Sequence, residues 1–232
     1  MNLPAFSPYE PASVVAAEAA ATEQARVWVR PPAGFAEAHV HAGQFCRVRV
    51  GGHEGIFAMA SAPGRTPVEF LVRVGGDGGD AADRMAGMHA GGDIEMSLPA
   101  GTGFSLSDDE EVILCVATGT GVAPVCAAID ARLERDAPSA ITLIHGVQTP
   151  AHVAIHEAIA RWAKSGVKTR LCFSRFEGGA LVGETVQSVL SAEHPDLRDA
   201  TVLAVGQPAM VDALRTLATQ LGLPASRFLT NL

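Results

Sequence analysis

The hydrophobic pattern changes halfway along the chain. Residues 13–98 carry short runs in which apolar and polar residues alternate, such as 44–50 and 68–74, and glycine and proline separate them. From residue 112 onward, apolar runs of strand type alternate with stretches of helical period. Alternating strands pair antiparallel around a core, whereas strands that alternate with helices form a parallel sheet covered on both faces. We therefore expect an all-β plus α/β chain, an antiparallel β-barrel followed by a doubly wound parallel sheet.

An acidic segment separates the two patterns. Residues 105–111 read SLSDDEE, without strand or helix period, so we divide the chain into a barrel domain, 1–104, and an α/β domain, 105–232. In the barrel domain we expect one helix near 81–88. In the α/β domain we expect strands at 112–117, 141–145, 168–173 and 201–205, helices at 122–135, 151–164, 185–191 and 208–221, and a final segment at 227–230.

Composition and charge exclude several classes of function. With 48% hydrophobic residues, the 232-residue chain is too apolar for a disordered tail. A net charge of -8 repels phosphate backbones and anionic lipids, so we expect no nucleic-acid partner. The longest uncharged stretch, 112–129, approaches the length of a membrane span, but TGTG at 118–121 and Pro124 lie in its middle. It predicts a strand, a turn and a helix start, and no membrane insertion.

Cysteine and histidine spacing argues against a metal site. The four cysteines are far apart and form no CxxC pair, which predicts free thiols in a reducing compartment. Residues 1–11 carry no basic residue ahead of an apolar run, so we expect a cytoplasmic protein. His152 and His156 have the spacing of metal ligands on a helix but lack the glutamate of a His-Glu-x-x-His motif. Because no Gly-x-Ser-x-Gly elbow is present, the sequence does not indicate the serine nucleophile of a hydrolase either.

The strongest motif is the glycine-rich turn VATGTGVAP at 116–124, which leaves an apolar run and opens a predicted helix. Glycines let a ligand approach the backbone closely, and the free N–H groups and dipole of a helix start favour a pyrophosphate. Many such turns only pack a strand onto a helix. The position after the first strand of a doubly wound domain favours a nucleotide.

Four motifs together resemble the ferredoxin–NADP reductase superfamily. Behind the predicted barrel come GTGVAP at 119–124, HGVQTP at 145–150, the pair Ser174-Arg175 and GQPAM at 206–210, in the order of that family and over nearly the whole chain. The resemblance implies an FAD-binding barrel and an NAD(P)-binding domain. It also implies flavin-dependent electron transfer from NAD(P)H through FAD to a separate acceptor protein. Since the chain ends at Leu232 without a cysteine-rich extension, we expect any one-electron carrier to be a separate protein.

For the nicotinamide dinucleotide, the resemblance implies contacts from two loops. The residues concerned are Thr118, Gly119, Thr120, Gly121 and Pro124 in the turn, and Gly206 and Met210 after the last long strand. Ser174 and Arg175 resemble the hydroxyl and guanidinium that the family often places on the 2′-phosphate of NADP. An exposed arginine without such a role is the alternative, so NADP is favoured over NAD only slightly.

For FAD, the resemblance implies contacts from a barrel strand and from the barrel helix. These residues are Phe57, Ala58, Met59 and Ser61, followed by Gly79, Ala81 and Ala82. The family's Arg-x-Tyr-Ser reads Gly-Ile-Phe-Ala at 55–58, so Phe57 keeps an aromatic face for stacking while Ala58 has no hydroxyl. Arg65 or Arg84 can supply the guanidinium that position 55 lacks.

Two further differences leave a second function open. Val205 stands where the family often has a cysteine near the nicotinamide, and Leu232 where it often has an aromatic residue over the flavin. The chain is therefore either an NAD(P)H oxidoreductase or a nucleotide-binding accessory or regulatory protein of the same fold that has lost flavin reductase activity. No catalytic residue is identified from the sequence.

Overall fold

The computed structural model describes residues 4–75, 80–107, 109–135, 140–178 and 180–231. Within these ranges the first half holds six strands and two helices. They are β1 (Glu10–Ala21), β2 (Gln24–Arg30), α1 (Phe35–Ala38), β3 (Phe45–Val50), β4 (His53–Ala58), β5 (Val68–Arg73), α2 (Asp80–Ala86) and β6 (Asp93–Met96). Helix α1, a single turn, is absent from the prediction, which had one helix here.

The first sheet closes into the predicted antiparallel barrel. Its strand order is β4-β3-β6-β1-β2-β5, with every neighbouring pair antiparallel. The Ala60 N–H donates to the Glu69 carbonyl at 2.7 Å, so the chain beyond β4 returns to β5 and joins the two edges. Alternating residues face inward, as the period-two pattern of β3 predicts: Cys46, Val48 and Val50 are buried.

The second half alternates strands and helices. Its elements are β7 (Val112–Thr118), α3 (Val122–Glu134), β8 (Ala140–Val147), α4 (His156–Ala163), β9 (Lys168–Glu177), β10 (Ala180–Gly183), α5 (Val186–Glu193), β11 (Ala200–Val205), α6 (Pro208–Gln220) and β12 (Phe228–Leu229). The sheet order is β10-β9-β8-β7-β11-β12, and every pair is parallel except β9 with β10. The predicted doubly wound sheet is confirmed.

Two separate cores cover the faces of this sheet. Helices α3 and α4 contribute Ile129 and Trp162 to one, and α5 and α6 contribute Leu190 and Leu214 to the other. From β7 the chain winds outward through β8 and β9, then crosses back to β11 on the other side of β7. The strand order therefore reverses between β7 and β11, and ligands of such sheets bind in the crevice outside the carboxyl ends of the strands at that point.

Two predictions of local structure are wrong. The predicted helix at 151–164 begins at His156, because residues Pro150–His152 form a separate 3-10 turn. His152 and His156 therefore do not share a helical face. The predicted strand at 168–173 extends to Glu177 and folds back on β10. The pattern did not predict that the chain turns at Gly178, where φ is +57, and re-enters the sheet.

The connection from β6 to β7 joins the two sheets, and we propose residues 104–105 within it as the domain boundary. Among the helices of the described ranges, none combines the length and the apolar composition that crossing a bilayer requires.

Candidate functional site

Two loops meet where the strand order reverses. Ala117 and Val205 pair across β7 and β11, so Thr118 and Gly206 emerge side by side at the carboxyl edge of the sheet. A Cβ built on Gly206 would overlap both the Thr118 Oγ1 and the Met210 Cε. Glycine is therefore needed for this close approach. The structure brings together three residues that the sequence predicted, Thr118, Gly206 and Met210.

The glycine turn leads directly into α3. Residues Gly119–Gly121 form one 3-10 turn, and among the described residues no side chain caps it or the start of α3. Gly119 has φ +54, and a Cβ there would have no heavy atom within 4 Å, whereas a Cβ on Gly121 would lie 3.1 Å from the Val205 carbonyl oxygen. Pro124 is buried in the first helical turn, where its missing N–H costs nothing. The half-exposed turn, which includes Thr120, presents backbone at the positive end of a helix dipole.

A buried histidine that sequence reasoning left without a role supports this turn. His145 on β8 is fully buried, and its Nε2 lies 3.1 Å from the Gly119 carbonyl oxygen. Burial lowers the pKa of His145 to about 4, so the ring is neutral near pH 7. Because a carbonyl only accepts, Nε2 carries the proton and donates it to Gly119. The HGVQTP motif contained the signal, but its target became visible only in the folded sheet.

The pair Ser174-Arg175 lies two strands away from β7 on β9. Both residues pair with β10, Ser174 with Gly183 and Arg175 with Val182. The guanidinium of Arg175 forms an ion pair with Glu177, Nη2 to Oε1 2.6 Å, and both side chains are more than half exposed. The structure therefore leaves Arg175 accessible to solvent but already paired with a carboxylate.

On the barrel side, the ring of Phe57 lies across Gly55. A Cβ on Gly55 would lie 2.6 Å from two ring carbons of Phe57 and 3.3 Å from the Ala81 methyl group. The ring also packs edge-to-face on Phe70, with centroids 6.2 Å apart. The space where an arginine at position 55 would begin is thus filled by Phe57, which remains half-buried beside the half-buried Ala58.

We expect the single substitution Gly55→Arg to destabilise the protein by about 1–3 kcal/mol, because the new side chain would overlap the Phe57 ring and displace it from its contact with Phe70. Urea unfolding measures this change. Ile56→Arg is the matched control, since that side chain is 43% exposed on the opposite face of the strand. Its free energy of unfolding should stay within about 0.5 kcal/mol of the parent value. Equal stability of the two variants would contradict the packing described here.

The other predicted flavin contacts differ in accessibility. Met59 is buried in the barrel core, and the Ser61 Oγ accepts the Glu69 N–H at 3.0 Å while keeping its own hydrogen to donate. Ala81 and Ala82 are buried in the seven-residue helix α2. Gly79 lies outside the described residues, as does Leu232. Met59, Ala81 and Ala82 therefore offer a ligand no exposed side chain.

The two guanidinium alternatives also have other neighbours. Arg65 forms an ion pair with Glu134 of α3, Nη2 to Oε1 2.6 Å, and so joins the barrel to the α/β half. Arg84 lies at the end of α2, where its Nη1 would be 3.5 Å from a Cβ on Gly51. Of the two, Arg65 contributes to holding the halves together.

The barrel wall and the glycine turn face each other. Ala60 and Leu71 of the barrel belong to the same buried cluster as Val122 and Ala123 in the first turn of α3. Strand β5 also contacts the turn itself. The segment that carries Phe57 and Ser61 therefore packs, through Ala60, against the start of α3, next to the reversal point of the sheet, where ligands of such sheets bind in a crevice.

Comparisons with known proteins match this architecture. Residues 115–216 match the family model of the oxidoreductase NAD-binding domain. Reductase component 1 of terephthalate 1,2-dioxygenase from Comamonas sp is 28% identical over 214 residues, 90% of this chain and 63% of that protein. The ferredoxin–NAD(P)(+) reductase component of the naphthalene 1,2-dioxygenase system from Pseudomonas putida is 26% identical over 175 residues, 74% of this chain and 53% of that protein. The chain thus spans 52–63% of the length of its curated relatives.

Solved structures share the fold over both halves. A cytochrome P450 reductase from Amycolatopsis gives a TM-score of 0.81 at 23% identity, covering 97% of this chain and 70% of that one. A ferredoxin NADP+ reductase from Neisseria gonorrhoeae, solved with bound FAD and NADP, gives 0.76 at 19% identity, covering 93% and 92%. Residues 115–216 thus match an oxidoreductase NAD-binding domain, and the whole chain has the fold of reductases of known structure.

Proposed function

We propose that this chain is an NAD(P)H oxidoreductase that passes electrons from a nicotinamide dinucleotide through FAD to a separate acceptor protein. One observation carries the proposal: the glycine turn at the reversal point of the sheet lies next to the barrel segment 57–61, whose Ala60 shares a buried cluster with the first turn of α3. A hydride donor bound at the first and an acceptor bound at the second would meet there. The curated relatives, named as reductase components of oxygenase systems, support the same function.

The nucleotide fits the sheet edge. The open side of Gly119 and the uncapped start of α3 suit a pyrophosphate, whose charge the helix dipole favours. The Thr118 hydroxyl beside Gly206 is placed to hydrogen-bond the carboxamide of a nicotinamide. Met210 and Val205 are both 8% exposed and keep the surroundings apolar, which limits water at the reacting carbon.

For the flavin, the barrel supplies an aromatic face and a hydroxyl. Bound FAD would accept a hydride and release the electrons onward. Phe57 offers a ring edge or face for stacking, and Ser61 still has a hydrogen to donate once its Oγ has accepted the Glu69 N–H. With Ala58 in place of a serine, we assign Ser61 the hydrogen bond to the flavin ring.

We assign Ser174 and Arg175 to the 2′-phosphate of NADP, which makes NADPH the preferred donor. The phosphate must displace Glu177 from Arg175. An exposed ion pair contributes about 0–1 kcal/mol, whereas hydrogen bonds to a charged group contribute about 1.5–3 kcal/mol. The phosphate contact therefore outweighs the pair. A cytoplasmic location accords with four free, buried cysteines in the described chain.

The visible absorption spectrum of the purified protein, before and after anaerobic NADPH, tests the proposal. Flavin bands that bleach within seconds are expected, with faster bleaching by NADPH than by NADH at equal concentration. A protein that is colourless and takes up no added FAD would overturn the proposal. It would instead assign the chain to the accessory function, with the Phe57 ring over Gly55 as the structural reason.

A further inference from the structure

The hairpin of β1 and β2 reaches across to the α/β half. Three donors on this barrel hairpin bind three backbone carbonyls of one segment, between β8 and α4. The hydrogen bonds are Thr22 N–H to Ala151 at 2.9 Å, Gln24 Nε2 to His152 at 2.6 Å and Arg26 Nη2 to Ala154 at 2.8 Å. We call these six residues the interdomain clamp.

Two of the three donors are side chains held in a nearly dry environment. Gln24 is 6% exposed, and the side chain of Arg26 is 16% exposed. The guanidinium of Arg26 also lies 3.4 Å from a Glu69 carboxylate oxygen and 3.5 Å from one of Glu157. Removing such a donor leaves a carbonyl or carboxylate without its partner, which costs more than the net gain of an ordinary hydrogen bond.

On the barrel side, the clamp connects to the wall of the crevice. Glu69, which meets Arg26, accepts the Ala60 N–H through its carbonyl and donates its own N–H to the Ser61 Oγ. Arg26 and Glu69 sit on neighbouring strands, β2 and β5. A displacement of Arg26 is therefore transmitted to the segment that carries Phe57 and Ser61.

On the other side, the clamp holds the chain directly beyond β8. A hydrogen bond between the Thr149 Oγ1 and the His152 Nδ1, 2.8 Å, keeps this segment compact. Strand β8 carries His145, whose ring supports the Gly119 carbonyl. The clamp thus lies on a continuous path from the barrel wall to the glycine turn.

We propose that Gln24 and Arg26 are positioning residues that fix the two halves at the separation and angle required for hydride transfer across the crevice. This inference rests on the proposed function. A displacement of about 1 Å between reacting groups is enough to reduce a rate by about 100-fold, so a contact remote from the reacting atoms can control the rate.

A distance measurement that needs no nucleotide tests the clamp directly. Val40, 52% exposed in the barrel, and Gln220, exposed at the end of α6, are replaced by cysteine and spin-labelled. The four native cysteines are buried, so the labels select the new sites. In the Gln24→Leu/Arg26→Met variant we expect the distance distribution to be at least twice as wide as in the parent. Arg30→Met, at the exposed end of β2, is the control and should match the parent.

Stopped-flow reduction by saturating NADPH tests the kinetic role. Per bound flavin, we expect the rate to fall about tenfold or more in Gln24→Leu/Arg26→Met, with the nucleotide Kd changed less than twofold. Arg26→Lys keeps the charge near Glu69 and should recover part of the rate. The isosteric Gln24→Leu alone gives the same trend if the double variant does not fold.

Two outcomes would overturn the inference: a distance distribution of unchanged width, or a widened one with an unchanged rate per flavin. The second would identify the clamp as a structural contact only. A chain that binds no FAD would overturn the proposed function, whereas the distance distribution would still accept or reject the clamp as the device that orients the two halves.

Discussion

Gly121→Glu is expected to weaken NADPH binding at least 100-fold. The new Cβ would lie 3.1 Å from the Val205 carbonyl oxygen, so the turn and the end of β11 must separate. The added carboxylate would also stand at the helix start that we assign to the pyrophosphate, where like charges repel by up to several kcal/mol. Titration of the flavin-loaded protein with NADPH, followed by difference absorbance, measures the dissociation constant.

Two further variants separate the steric effect of the new Cβ from the electrostatic effect of the new carboxylate. Gly121→Ala adds the Cβ without the charge and should cost about tenfold, because the neighbouring strand must give by a few tenths of an ångström. Gln220→Glu adds the same charge at an exposed position on α6 and should leave NADPH affinity within a factor of two. If Gly121→Glu binds NADPH as the parent does, the glycine turn is not the nucleotide site.

The glycine turn was predictable because the residues that determine its conformation are close together in the sequence. An apolar strand, two glycines and a helix start lie within nine residues, and each constrains the backbone next to it. The resemblance assigned Thr118 and Gly206 to one ligand, and the parallel pairing of β7 with β11 explains why both lie at the same edge of the sheet. The fold class was predictable for a similar reason, because the hydrophobic period determines which faces of a strand or helix must be buried.

Contacts between distant segments were not predictable. Gln24 and Arg26 read as ordinary residues of a barrel strand, and their acceptors lie 128 residues further along the chain. His145 belonged to a recognised motif, yet its role depends on how the Gly119 carbonyl is oriented in the turn that follows the neighbouring strand β7. A side chain that stabilises another segment's backbone leaves no periodic signal in its own sequence.

The conformation of Phe57 shows a second kind of feature that could not be predicted from the sequence. Its aromatic type suggested a surface for stacking, but its orientation follows from a side chain that is missing two residues earlier. With only hydrogen at Gly55, the ring folds over its own strand onto Phe70. Comparison of motifs position by position treated Gly55 and Phe57 as independent, whereas the structure shows that the missing side chain at Gly55 determines where the Phe57 ring lies.

Acidification is expected to destabilise the protein through two buried histidines. Burial lowers the pKa of both His39 and His145 to about 4, against 6.5 in an unfolded chain. Between these pH values the unfolded state binds more protons than the folded state. The contribution of the two histidines to the free energy of unfolding is therefore complete above pH 6.5 and is lost as the pH falls toward 4. Each histidine contributes about 1.4 kcal/mol per pH unit in this window, and about 3 kcal/mol over all of it.

Urea unfolding at pH 7.5, 6, 5 and 4.5 measures this slope in the parent, in two single variants and in their double variant. Neither ring nitrogen of His39 has a hydrogen-bond partner among the described residues, so His39→Leu should be neutral or stabilising at pH 7.5 and should remove half of the histidine slope. His145→Gln removes the other half while its amide nitrogen, which takes the place of Nε2, keeps a donor for the Gly119 carbonyl. Since one histidine lies in the barrel half and the other on β8, the two effects should add in the double variant. An acid slope that is the same in all four proteins would mean that both rings titrate alike in the folded and unfolded states, and the neutral His145 assigned to the Gly119 carbonyl would then be wrong.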